Sequence, residues 1–281
     1  MPVPFTLIHV SDLHFHRFPL LPSQWLSKRG VGAMNLLLRR RWQFPPERAR
    51  RLVQQIDRMA WDHLVVSGDL TQLGLPREFR LALHAMTPWL LRGPERVTIV
   101  PGNHDRYTPD DVAPGPFDEA FARFAPEGPE RFTAKRLNDT WWLAAWDSAV
   151  PQPVFIASGL VAAETLRATE RWLASLPKGA RVVLVNHYPL HFPDWHPPRT
   201  LHELINLADV QAWFARQPIE LYLHGHVHHN WVITKEGERG IQRLVNSASS
   251  TQVPRRHDRS SFHRILLPDQ GPPVVEGMQV E

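Results

Sequence analysis

The chain has no cysteine among its 281 residues. That excludes disulfides and thiolate metal sites, and it suits the reducing cytosol, where disulfides are rare. No apolar run approaches the roughly 20 residues that cross a bilayer as a helix. The amino-terminal stretch MPVPFTLIHVSDLH lacks the basic start and cleavage site of a secretory leader, and reads as the first strand of a fold. Three common catalytic signatures are also missing: the G-x-S-x-G nucleophile elbow, the Walker-type glycine loop and the G-x-G-x-x-G dinucleotide fingerprint. Acid is scarce in one place. Between Arg17 and Arg51 nine Lys/Arg stand against one acidic residue, Glu47, while the rest of the chain holds 23 basic and 27 acidic residues. The formal net charge of +4 therefore belongs to one segment and not to the whole surface.

What is present is ordinary in bulk: 43% hydrophobic and 21% charged residues, as in a soluble globular protein. The length suffices for a full core, and α/β folds of this size often form one domain, here expected over 1–281. Apolar, β-branched runs predict strands at Phe5–Val10, His63–Val66, Val97–Val100, Trp141–Trp146, Val154–Ile156, Arg181–Val185 and Glu220–Leu223. Helical periodicity predicts helices from Pro46, over Pro76–Leu91, Pro116–Phe124, Ala162–Leu176 and Leu201–Phe214. Beyond Trp231 a run of antiparallel strands is expected. Alternating strands and helices followed by terminal strands argue for stacked sheets flanked by helices.

Five short polar blocks punctuate this pattern: Asp12-Leu13-His14, Gly68-Asp69, Gly102-Asn103-His104-Asp105, Asn186-His187 and Gly225-His226-Val227-His228. Most follow a predicted strand, and the carboxyl ends of strands are where α/β folds collect functional groups. One block could be a turn or a helix cap. Five together offer carboxylate, amide and imidazole donors suited to Mn, Fe or Zn rather than Ca. Two ions roughly 3.5–4 Å apart can clamp the oxygens of a phosphorus centre. Asp69 is the natural carboxylate to bridge them.

The pattern D-x-H, G-D, G-N-H-D, N-H, G-H-x-H resembles the calcineurin-like metallophosphoesterase superfamily over Asp12 to His228, closest in motif style to its bacterial cyclic nucleotide phosphodiesterase-like members. The resemblance implies a four-layer α/β/β/α sandwich of two mixed sheets. It implies that Asp12, His14, Asp69 and His228 hold one metal, that Asp69, Asn103, His187 and His226 hold the other, and that His104 is the catalytic general acid or charge stabiliser. The implied activity is a binuclear phosphodiesterase with a hydroxide bridging two transition-metal ions as nucleophile. Two rivals stand beside it. A pyrophosphatase-like enzyme of lipid A biosynthesis would act on UDP-2,3-diacylglucosamine, although one branch of those enzymes carries Arg where this chain has His104. A non-catalytic scaffold would be expected to lose ligands, and this chain retains the set. Asp105 is read as bracing its loop, and Arg106 as either a phosphate contact or a solvated arginine.

Residues 17–46 form an insertion between the first two blocks. Its centre, WLSKRGVGAMNLLLRRRW from Trp25 to Trp42, brackets an aliphatic patch with basic residues and tryptophan. The leading expectation is a helical cover on the metal cleft, its apolar face packed on the body and its arginines in solvent. The rival is contact with a membrane or an acylated substrate; nucleic acid is disfavoured. The expected location is cytoplasmic, at most peripheral to the inner face of the membrane.

Overall fold

The computed structural model describes residues 4–111, 114–254 and 261–281; the start of the amino-terminal stretch, residues 1–3, lies outside them. Among the described residues eleven strands make two mixed sheets. The first has the order β11-β10-β1-β2-β3, built from β1 (Phe5–Val10), β2 (His63–Val66), β3 (Val97–Ile99), β10 (Phe262–Leu267) and β11 (Val274–Met278). Its strands β1, β2 and β3 run parallel, with β10 and β11 antiparallel at one side. The second has the order β4-β5-β6-β7-β9-β8, from β4 (Phe132–Arg136), β5 (Trp141–Trp146), β6 (Arg181–Val185), β7 (Leu221–His224), β8 (Trp231–Gly237) and β9 (Gly240–Asn246). There β5, β6, β7 and β9 are parallel and the two edge strands antiparallel.

Side-chain alternation builds the layers. Val183 and Val185 of β6 point between the sheets with Leu7, Val65, Leu223 and Ile265. Val182 and Leu184, one residue out of step, pack with Val210 and Phe214 of the Leu207–Ala215 helix. On the other side, Ile8, Leu64 and Val66 meet Leu52 and Ile56 of the Pro46–Arg58 helix. The result is the expected four-layer α/β/β/α sandwich. Its parallel strands β1, β2, β3, β6 and β7 place the loops after them at one edge.

The structure corrects several sequence expectations. The Pro76–Leu91 helix is two, Pro76–Ala85 and Thr87–Leu90; Pro88 lacks an N–H and would clash with the carbonyl four residues back in one continuous helix. No strand forms at 154–156, between prolines 151 and 153 and a turn. The helix expected from Leu201 begins at Leu207. Before it, Leu204 bridges Gly159 and the Asn206 amide donates to the Val161 carbonyl at 2.9 Å, tying 204–206 to the neighbouring loop ahead of the helix. Strand β4 is absent from the sequence expectations, since its half-buried polar sequence FTAKR carries little apolar signal. The strands beyond Trp231 are not one antiparallel run: β9 pairs in parallel with β7, and β10 and β11 cross to the other sheet.

Candidate metal centre

Every polar block arrives at the shared edge on a strand end. Backbone bonds lock the loops together: Asp12 N–H to the Gly68 carbonyl at 2.9 Å, His14 N–H to Asp69 at 3.0 Å and Gly225 N–H to His187 at 3.0 Å. Gly68 has φ of +106°, and a Cβ there would lie 2.4 Å from His187 Nδ1. At Gly102 a Cβ would sit 2.2 Å from Asp69 Oδ1. Both glycines are needed, Gly68 because the loops of the two sheets meet there and Gly102 because neighbouring loops of the first sheet do.

The donors gather in two groups sharing one carboxylate. Asp12, His14, Asp69 and His228 each present a ligand atom within 4.8 Å of the others, and so do Asp69, His187 and His226. Asn103 Oδ1 lies 3.3 Å from His187 Nε2, joining the second group. All seven predicted positions are thus brought together. The ring nitrogens are oriented by carbonyls, which can only accept. His14 Nδ1 donates to Thr71 O at 3.2 Å, His187 Nδ1 to Ser67 O at 2.8 Å and His226 Nε2 to His202 O at 2.7 Å. Each ring therefore turns its other nitrogen, as a lone pair, toward the site. Burial lowers the pKa of all three, keeping them in the neutral form that ligates.

A metal pair fits these residues, because the donors are left in mutual opposition without one. His14 Nε2 and His228 Nε2 face each other at 3.0 Å. Asp12 Oδ1 is buried, with that same His228 Nε2 3.1 Å away. Burial, then the charges of Asp12 and Asp105, pushes the Asp69 carboxyl well above its usual range. Burial also opposes ionisation of Asp12, but the neighbouring histidines, His228 foremost, together outweigh it and hold that carboxyl low. Cations between the two carboxylates would relieve all of these.

The backbone is strained at the same place. Asp12, His14, Asp69, His226 and His228 have φ of 53°, 48°, 53°, 76° and 57°, left-handed values costing a non-glycine residue about 1 kcal/mol or more each. Asp105 braces the floor: its carboxylate accepts from the N–H groups of Leu70, Thr71 and Gly102 at 2.9–3.0 Å, and burial still pushes it up to about 6. Arg106 is neither a phosphate contact nor solvated. It is buried, paired with Asp118 at 2.5 Å and Asp147 at 3.1 Å.

The groups open into a cleft of about 260 Å³ whose other wall includes Phe192, His196, Arg199 and His202. A cleft of about 430 Å³ beside Arg181, Glu220 and Arg243 is larger. It has no converging imidazoles, so chemistry and not volume locates the site. His104 lies at the mouth. Its N–H donates to Asp69 Oδ1 at 2.8 Å and its Nδ1 to the Gln72 carbonyl at 2.7 Å. Its Nε2 faces Arg40 Nη1 at 3.2 Å. Burial, then Arg40, pushes the imidazole well below its usual range.

Arg40 is not singled out by the sequence, where it is the middle of Arg39-Arg40-Arg41. The insertion reaches the mouth through helices Pro22–Trp25 and Lys28–Asn35, a π-helical turn Leu36–Arg40 and a last turn Arg41–Gln43. Leu36 is buried with Leu73, Leu75 and Tyr107, and Arg40, four residues on, turns inward to Gln72 Oε1 at 2.9 Å and to His104. Single π turns recur at functional sites. The expected packing holds in part: Ala33 and Leu36 pack inward and Arg39 and Arg41 are exposed, but Arg29 is buried against Asp111 at 2.6 Å, while Leu37, Leu38 and Trp42 face solvent.

The family profile of calcineurin-like phosphoesterases matches residues 5–230. The chain belongs to this family of metal-dependent phosphoesterases, whose members use two transition-metal ions. Among solved structures it is similar to a dimetal phosphatase from Danio rerio, at 14% identity, covering 98% of this chain and 99% of that one with a TM-score of 0.66. A purple acid phosphatase from yellow lupin (Lupinus luteus) seeds aligns at 12% identity over 100% of this chain and 52% of its own, TM-score 0.59. A 5'-nucleotidase precursor from Thermus thermophilus aligns at 16% identity over 97% and 53%, TM-score 0.50. These likenesses are of fold. No curated protein matches the sequence.

Proposed function

We propose that the chain is a phosphodiesterase working at a two-metal centre. The carrying observation is that two donor groups sharing Asp69 floor a cleft whose far wall continues past them. Phe192 and His196 there lie ring over ring, 6.4 Å apart and within 8° of parallel. A monoester would leave that wall idle, whereas a diester has a second arm to lay against it. In this reading Asp12, His14, Asp69 and His228 hold one ion, and Asp69, Asn103, His187 and His226 the other. Bound Mn, Fe or Zn would supply Lewis acidity and an activated water.

The chain's own groups do the rest. Arg40 sets fixed positive charge where the phosphoryl oxygens would lie, which in a partly closed site is worth more than in water. His104, its proton on Nδ1 and its Nε2 accepting from Arg40, steadies that guanidinium; to serve the leaving oxygen as general acid it must first take up a proton at Nε2, which the negative charge of a bound phosphate would favour. Asp105 holds the Gly102 and Thr71 backbones still. Apolar side chains exposed beside Arg40 favour a second reading: a nucleotide lipid such as UDP-2,3-diacylglucosamine, cleaved at its pyrophosphate. A scaffold role is disfavoured, because none of the seven donors strays from the cluster. We place the protein in the cytoplasm under either hydrolytic reading.

The test pairs elemental analysis with a substrate panel. Purified protein should carry about two transition-metal ions and hydrolyse bis-p-nitrophenyl phosphate faster than the monoester. Asp69→Asn should lose both metal and turnover. Unchanged metal content and rate in that variant would sink the proposal, and cleavage of UDP-diacylglucosamine alone would transfer it to the second reading.

A further inference from the structure

The insertion turns one face to the metal cleft and the other to solvent, and the outer face has the composition of a membrane-interface element. Leu26 is 91% exposed, Leu38 73% and Trp42 69%, with Val31 and Met34 about half exposed between them. A short amphipathic segment normally buries such residues; here the inward positions go to Arg29, Gly30, Gly32, Ala33 and Leu36, and the two glycines and the alanine let the segment lie close to the body. The charge is of one sign. From Arg17 to Pro46 there is no acidic residue, and Arg17, Arg39 and Arg41 are exposed. The Arg41 guanidinium lies over the Trp42 ring, 4.5 Å from its centre, an arrangement that keeps an arginine beside an apolar anchor.

The opposite lip of the cleft repeats the theme. Phe155 is 81% exposed, Trp195 62% and Leu201 about half. The three segments are tied together: Lys28 Nζ donates to the Gln152 carbonyl at 3.0 Å, and the Ala157 N–H to the Leu201 carbonyl at 2.8 Å. Exposed apolar groups thus flank a cleft lined by Arg40, Ala157, Phe192, Arg199 and His202, and scattered surface apolars would not be expected to gather there.

We propose that this face docks on an anionic phospholipid bilayer, with the cleft opening at the lipid–water boundary. A second copy of the chain is the rival occupant, but mating two faces with arginines and no acid along the insertion sets like charges together. Phosphatidylglycerol offers the opposite charge, and the leucines and tryptophans reach the acyl boundary. The surface is distinct from the hydrolytic reading, since docking is measured without turnover.

The experiment is co-sedimentation of the full chain with extruded vesicles of phosphatidylcholine alone, or with about 30% phosphatidylglycerol, at about 0.1 M salt and again at about 0.5 M. Binding should require phosphatidylglycerol and weaken at high salt. The triple variant Leu26→Glu, Leu38→Glu, Trp42→Glu should lower the bound fraction about tenfold or more, with its melting temperature and its hydrolysis of soluble bis-p-nitrophenyl phosphate unchanged. Arg39→Glu with Arg41→Glu should remove most of the salt-dependent part. A wild-type protein that stays in the supernatant with phosphatidylglycerol vesicles would overturn the inference. So would a triple variant that binds like wild type, or one that merely converts a dimer to a monomer by sedimentation velocity.

Discussion

Arg40 offers the sharpest check on the site, because its side-chain hydrogen bonds go to Gln72 and His104 and to none of the seven candidate ligands. Replacing it by methionine keeps the aliphatic stem and removes the guanidinium. Two hydrogen bonds go with it, to Gln72 Oε1 at 2.9 Å and to His104 Nε2 at 3.2 Å. More important is the charge facing the cleft. A preorganised charged donor in a partly desolvated site is worth about 2–4 kcal/mol to a transition state, so kcat/KM should fall about 30- to 1000-fold at about 1.4 kcal/mol per decade. The assay is hydrolysis of bis-p-nitrophenyl phosphate, with metal content measured on the same samples. Metal should be retained, and the loss should sit in kcat more than in KM if the guanidinium meets charge that develops during the reaction. Arg40→Lys should recover part of the rate, since the charge survives without the planar fork. A rate within about threefold of wild type, with metal intact, would show that Arg40 is merely packing at the mouth.

Two further outcomes follow from the geometry. Gly102→Ala puts a methyl 2.2 Å from Asp69 Oδ1 and 2.5 Å from its backbone nitrogen; displacing that carboxylate should cost about 1–3 kcal/mol of stability and empty the metal pair, and elemental analysis showing full occupancy would refute the contact. His63 is buried between Thr98 Oγ1 and the Glu95 carbonyl, and burial pushes its pKa from 6.5 down to about 3. The unfolded chain therefore binds its proton more tightly, so the stability it contributes is full above about 6.5 and is lost as pH falls toward 3, about 2 kcal/mol by pH ~5. His63→Gln should flatten the fall in melting temperature between about pH 7 and 5; equal slopes in the two proteins would refute it.

The parts of the fold that were legible in the sequence are those where both faces of an element are committed. RVVLV at 181–185 is apolar on both sides because one side meets the other sheet and one meets helices. The five polar blocks were legible because each interrupts such a run. What escaped was decided elsewhere in the chain. FTAKR is a strand only because β5 offers it an edge. Of three successive arginines, the π turn selects Arg40, and nothing in the run Arg39-Arg40-Arg41 marks the middle one. Arg106 looked free beside its motif because its partners, Asp118 and Asp147, lie 12 and 41 residues on. The left-handed backbone at Asp12 or His228 leaves no trace in composition, since the residue types are kept for their donors and the conformation is imposed by packing.

The allocation of donors between the sheets has its own consequence. Asp12, His14, Asp69 and Asn103 hang from the first sheet, His187, His226 and His228 from the second, and the His226 N–H reaches across to Asp12 Oδ2 at 3.0 Å. Ions held there would bolt the halves of the sandwich together along one rim, offsetting opposed carboxylates and contorted loops that the bare polypeptide must tolerate. Uptake of cations and tightening of that rim then become a single equilibrium, so that scarcity of metal in the surroundings would be felt as a loosening of the sandwich as well as a slow reaction.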